Sequence, residues 1–137
     1  MGRFSVEIKL ANSIDVGDAR RGLIPSEKIR QIIKRGVVDT GATRLVIPAS
    51  VAEQLGVREV GDVQVRYADS RTATKKLVDD VSVEILGRQA TFRATVEPDR
   101  DSVLIGAIVL EDLDFIVDPV SETLKPRDPR FIISEIE

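Results

Sequence analysis

Gly36-Val37-Val38-Asp39-Thr40-Gly41-Ala42 runs two β-branched apolar residues directly into an acid, a hydroxyl and a glycine. Val37 and Val38 read as the end of a buried strand, so Asp39 stands where that strand leaves the core, close to a residue free to take unusual backbone angles. Such a position suits a reactive carboxylate. Asp-Thr-Gly is also ordinary turn chemistry, in which Asp bonds its own backbone and Gly supplies positive φ. Three residues alone do not separate the two readings.

The surrounding sequence tips the balance. Ser102-Val103-Leu104-Ile105-Gly106-Ala107 is a second apolar strand ending in Gly-Ala, and between the two lies the polar stretch Tyr67-Ala68-Asp69-Ser70-Arg71-Thr72. In this order the chain resembles the retropepsin-like aspartic proteases, single-domain relatives of the retroviral proteases. The resemblance covers roughly Gly36 to Pro126. It looks nearest to the small cellular and prokaryotic members, whose chains similarly close on a segment like Phe115-Ile116-Val117-Asp118-Pro119. It implies a mainly β, closed barrel-like fold with one or two short helices, a single domain over residues 1–137 that functions as a homodimer.

The chemistry follows from what the chain lacks and what it carries only once. With no His and no Cys, Ser-His-Asp and Cys-His catalysis, thiolate zinc sites and disulfides are excluded. Peptide hydrolysis by carboxylates alone needs a water made nucleophilic and an amide made electrophilic together, which two carboxyls sharing one proton can do. One Asp is insufficient. Since Asp-Thr-Gly occurs once, the second carboxyl on this reading is Asp39 of another copy, across a two-fold axis.

The resemblance implies roles for the neighbours. Asp39, Thr40 and Gly41 are the expected catalytic group: Thr40 reaches its twin and locks the two active loops, while Gly41 lets backbone approach the carboxylates. Leu104, Ile105 and Gly106 are expected under the loop, and with Ala42 and Tyr67, Ala68, Asp69, Ser70, Arg71 and Thr72 they form the expected peptide-binding set. The hairpin tip Ala68 to Thr72 corresponds to the flap that closes over substrate. No metal or cofactor is expected.

Two departures stand out. Retroviral members usually pair a second acid after the motif with an Arg beyond the second Gly, whereas Thr43-Arg44 and Ala107-Ile108 stand here. The flap tip also lacks the glycines common in retroviral flaps. A catalytically silent or self-cleaving dimerisation or peptide-binding module is therefore the alternative on the same fold. Asp39 to Thr43 also matches the Asp-x-Gly-x-Thr phosphate loop of actin-like and sugar-kinase ATPases, but those need two α/β domains and no strand-helix alternation is visible.

Composition frames these readings. At 137 residues the chain can bury one core, and 42% hydrophobic with 31% charged residues is ordinary for a soluble fold. The net charge of −3, with Lys and Arg scattered, gives no concentrated basic face for nucleic acid. No apolar run approaches the length of a membrane helix and no signal-peptide core is visible, so a cytoplasmic location without membrane partners is expected.

Along the chain, Phe4 to Leu10 alternates as a half-buried strand. Asn12 to Pro25 reads as a long connection with a short helical turn near Asp18 to Arg21, and Ile29 to Lys34 as a strand feeding Val37 and Val38, with Gly36 a bulge or kink. Leu45-Val46-Ile47 is a short strand, and Pro48 to Gly56 a helix with Pro at its start, Val51 and Leu55 on one face, and Gly56 as its cap. Val60 to Tyr67 and the run toward Val78 form the hairpin, followed by strands at Val81 to Ile85 and Thr91 to Val96, and a turn at Pro98 to Asp101. Ala107 to Leu113 reads as a second helix and Phe115 to Val117 as a strand. Phe131 to Ile136, together with Phe4 to Leu10, is expected either to add strands to a dimer interface or to pack on its own subunit.

Overall fold

Strands with one wet face need a partner surface for the other, and here they find it by curling into a barrel. The computed structural model describes residues 3–130 together with Ile132, Ser134 and Ile136. The elements run β1 (Phe4–Asn12), α1 (Ser13–Arg20), β2 (Gln31–Val38), β3 (Leu45–Pro48), α2 (Ala49–Leu55), β4 (Glu59–Arg66), β5 (Thr72–Ile85), β6 (Arg88–Glu97), β7 (Val103–Ile105), α3 (Ala107–Asp112), β8 (Phe115–Asp118) and β9 (Thr123–Pro126). Six strands pair in the order β1, β2, β7, β3, β6, β5, and β5 returns to β1, closing the barrel. β4 lies outside the ring, paired with β5. β8 and β9 form a separate two-stranded sheet.

The long strand β5 serves both structures. Its first half, from Thr72 to Val78, pairs with β4, and its second half, from Val81 to Glu84, pairs with β1. The register breaks between Val78 and Val81, where Asp80 takes a φ of 63°. That irregularity lets one strand leave the hairpin and enter the ring.

The core is a single cluster in which Ile8, Leu10, Ile47, Leu55, Val81, Val83 and Ile105 are fully buried. Two of these come from β1. Truncating a buried leucine costs about 2–5 kcal/mol, a large share of the roughly 5–15 kcal/mol that holds a domain together, so β1 is part of the fold rather than a removable leader. Among the described residues no helix is long and apolar enough to cross a membrane.

Several expectations are corrected. The connection after β1 begins with a full helix, α1, because the Asn12 side chain accepts bonds from the backbone N–H of Ile14 and Asp15 and caps it. With α1 there are three α-helices among the described residues, where one or two short helices were expected. Gly36 makes no bulge: it continues the β1–β2 register opposite Val6. Its lack of a side chain instead makes room for Ile105 and Ile8, whose atoms lie 2.8 and 3.1 Å from where a Cβ would stand. β9 follows the Pro119 turn unforeseen, pairing Val117 with Leu124. The segment Phe131 to Ile136, for which interface strands or packing on its own subunit were expected, includes Phe131, Ile133 and Glu135, which lie outside the described residues. The α2 expectation holds in detail, with Val51 and Leu55 buried and Gly56 capping at φ 64°.

α1 is fastened to the rest by one carboxylate. Asp15 accepts from the Arg30 backbone N–H at 3.0 Å, from its Nε at 2.8 Å and from its Nη2 at 3.0 Å. The Arg30 side-chain bonds outweigh burial and hold the Asp15 carboxyl below the usual range. A depressed folded value means stabilisation that is present above the unfolded value of about 3.9 and lost as pH falls through the folded one. Asp15→Asn is therefore expected to cost about 1–2 kcal/mol at pH 7, since Arg30 is half exposed and water screens the pair. Urea unfolding at pH 7 and pH 3 checks this: the gap to wild type should narrow at pH 3, and an equal gap at both would deny the charge its role.

Candidate active site

β2 delivers Asp39 to the barrel's end. The parallel pairing of Val37 with Leu104 and Val38 with Ile105 is extended by the Asp39 N–H, which donates to the Ile105 carbonyl at 3.0 Å. The chain then turns, the Ala42 N–H donating to the Asp39 carbonyl at 3.1 Å. Inside that turn the Gly41 N–H donates to Asp39 Oδ1 at 2.9 Å, which fixes the carboxylate in one orientation. A Cβ on Gly41 would stand 3.2 Å from the same oxygen. The other oxygen, Oδ2, pairs with Arg3 at 3.1 Å, and the Asp39 side chain is 17% exposed against 63% for Arg3.

The loop is braced from below by the start of α3. The Ala107 N–H donates to the Ala42 carbonyl at 2.8 Å and the Ile108 N–H to the Thr43 carbonyl at 3.0 Å. Two backbone bonds thus join the segments that lack the acid–arginine pair expected of retroviral members. Gly106 permits this crossing, because a Cβ there would lie 2.3 Å from the Arg44 carbonyl oxygen. Leu104 and Ile105 are buried beneath the loop, and Ala42 is half-buried within it. Thr40 is exposed at the loop's tip. It borders a groove of about 320 Å³ whose walls come from Ala107 and Leu110 of α3, Phe115 to Val117 of β8, and Arg127.

The polar stretch forms a hairpin tip, as expected, and so stands apart in chain from the Asp39 loop. The Tyr67 N–H donates to the Arg71 carbonyl at 2.8 Å and the Ser70 N–H to the Tyr67 carbonyl at 2.9 Å. Ser70 takes φ 71°, the left-handed geometry that a glycine would otherwise supply. Ala68, Asp69, Ser70, Arg71 and Thr72 are exposed. Tyr67 is not: its ring lies under Arg71 at 4.7 Å and its hydroxyl donates to Glu97 Oε2 at 2.7 Å.

The sequence reading places Asp39, Thr40, Gly41, Ala42, Leu104, Ile105 and Gly106 in one unit, and the structure assembles that unit. A model of the gag-polyprotein putative aspartyl protease family matches residues 30–117. The chain belongs to that retropepsin-like family. No curated protein matches it. The match takes in the Asp39 loop, the hairpin and Gly106, but begins after β1.

Two features of this retropepsin-like chain escaped the sequence reading. Arg3 precedes every motif and meets Asp39 only through the β1–β2 pairing of Phe4 with Val38. Lys75 carries no motif either, but strand alternation puts it with Ala73 and Leu77 on the half-buried face. That period was the available signal for its bond to Glu97.

Proposed function

We propose that this protein is an aspartic endopeptidase that works as a homodimer, hydrolysing peptide bonds with a water held between the Asp39 carboxyls of two subunits. The observation that carries this reading is the Asp39 carboxylate itself, aimed by the Gly41 N–H on a loop braced at Ala107 and Ile108. Such a loop is half of a two-carboxyl site. The ionised Asp39 takes a proton from water, the protonated one polarises the substrate carbonyl, and no metal or cofactor is needed.

Exposed Thr40 beside an apolar groove supports the pairing of two such loops. Ile108 and Ile116, on the same α3–β8 side, are 40% and 47% exposed. A second copy covers this surface and brings the carboxyls together. The hairpin from Tyr67 to Thr72 then closes over bound polypeptide and sheds water. Because one carboxyl must be ionised and one protonated, the rate is bell-shaped in pH and peaks below neutrality.

Turnover of a mixed peptide library, measured across chain concentration beside sedimentation, tests the reading. The rate per chain should rise with concentration and level off as dimer forms. A constant rate from a sedimenting monomer overturns it.

The Arg3 ion pair favours a second reading, a silent peptide-binding module, because it occupies Asp39 Oδ2. Peptide binding without turnover, in wild type and Arg3→Ala alike, selects that module.

A further inference from the structure

The tip of the hairpin of β4 and β5 extends beyond the pairing that closes the ring. β5 pairs with β6 only from Lys76 opposite Val96 onward, so among the described residues the stretch from Arg66 to Lys75 pairs in its backbone with the hairpin's own other arm alone. Such a two-stranded ribbon is free to swing unless side chains hold it. Two do, and both end on one carboxylate: the Tyr67 hydroxyl donates to Glu97 Oε2 at 2.7 Å, and Lys75 Nζ pairs with Glu97 Oε1 at 2.9 Å. One tether comes from each side of the tip.

Glu97 is well placed to anchor them. It ends β6 and stands opposite Pro48 of β3, inside the ring's pairing, so its backbone does not follow the hairpin. The side chains of Lys75 and Glu97 are only 19% and 17% exposed, which screens their pair less than an ordinary surface one. Within the tip Asp69 pairs with Arg71 at 2.9 Å and Arg71 covers the Tyr67 ring, so the tethered Tyr67 is tied to both sides of the turn.

We infer that Glu97 is a positioning residue that, through Tyr67 on one arm and Lys75 on the other, sets the angle of the flap over the Asp39 cleft. Its catalytic consequence rests on the endopeptidase reading, whereas the tether does not. Burial pushes the Glu97 carboxyl up, but the bonds from Tyr67 and Lys75, with Arg100 adding its charge, outweigh it and hold the group below the usual carboxylate range. The tether therefore stays charged in the mildly acidic range where a shared-proton pair works.

Hydrogen exchange of the full chain, read by mass spectrometry on segments covering residues 66–75 and, separately, β1 and β2, tests this directly. Glu97→Gln is expected to speed exchange at residues 67–75 about tenfold while β1 and β2 keep wild-type rates. Tyr67→Phe, which removes only a hydroxyl, should show a smaller increase in the same segment, and it carries the test if Glu97→Gln does not fold. Turnover by Glu97→Gln should show KM raised about fivefold with kcat changed less than about twofold, because Asp39 is untouched. Unchanged exchange at 67–75, or a rise shared equally by β1 and β2, overturns the inference. Faster exchange confined to 67–75 in proteins that all lack turnover upholds the tether and removes the endopeptidase reading instead.

Discussion

Asp39→Asn is expected to leave a folded protein that cleaves peptides on the order of 10²–10⁴-fold more slowly than wild type. Folding is spared because the loop is held by groups the substitution keeps. The Asp39 N–H still donates to Ile105, and an amide oxygen can accept from the Gly41 N–H as the carboxylate does. Only the ion pair with Arg3 is lost, and the Arg3 side chain is mostly in water. The chemistry is not spared, since an amide neither takes a proton from water nor carries the shared one. Mixing subunits sharpens the test. If each site takes one Asp39 from each of two chains, equal amounts of variant and wild type, allowed to exchange, should lower the rate per wild-type chain to about half, because mixed pairs are dead. Full turnover by Asp39→Asn removes Asp39 from the mechanism, and a rate indifferent to added variant removes the shared site.

The parts legible in the sequence are those where a short segment carries its own instructions. α2 announced itself by Pro48, the Val51 and Leu55 spacing and Gly56, and the Asp39 loop by an apolar strand ending in Asp-Thr-Gly. α1 was obscured because its buried residue is an acid, Asp15, so an apolar stripe was the wrong signature to seek. The cap at Asn12 was the better one. β9 contributes a single buried side chain, Leu124, too little for a pattern. Gly36 illustrates a different limit: a glycine in a strand marks either a bulge or a close neighbour, and only the fold tells which. The flap tip turns without glycine because Ser70 accepts the left-handed geometry, so its composition hid its shape. Arg3 with Asp39, and Tyr67 and Lys75 with Glu97, are pairings across strands distant in sequence. Register creates them, and register is what local reading does not supply. The same holds for β1, which carries no motif and precedes the family match, yet closes the ring against β5.

Gly106→Ala is expected to be among the most damaging single-methyl changes in the chain. Its backbone, at φ −88° and ψ 178°, is extended and open to any residue, so the requirement is one of space and not of torsion. A Cβ would stand 2.3 Å from the Arg44 carbonyl oxygen and 2.8 Å from both the Arg44 nitrogen and the Thr43 carbonyl carbon. These are backbone atoms and cannot turn aside like a side chain. The loop from Ala42 to Arg44 must retreat, and with it go the bonds from Ala107 to Ala42 and from Ile108 to Thr43. Overpacking of about 1–3 kcal/mol and two lost backbone bonds of about 1 kcal/mol each give a cost of about 3–5 kcal/mol, a drop of roughly 10–20 °C in Tm for a chain of this size. Gly36→Ala is the matched control. Its Cβ would meet Ile105 Cδ1 at 2.8 Å and Ile8 Cγ2 at 3.1 Å, both side-chain atoms, so Ile105 can rotate and the cost should stay nearer 1–2 kcal/mol, about the low end for overpacking. Thermal melts rank the two. A Gly106→Ala protein as stable as Gly36→Ala would show that the Asp39 loop does not depend on the Gly106 crossing, and full turnover by a folded Gly106→Ala would show that the carboxylate tolerates its loss.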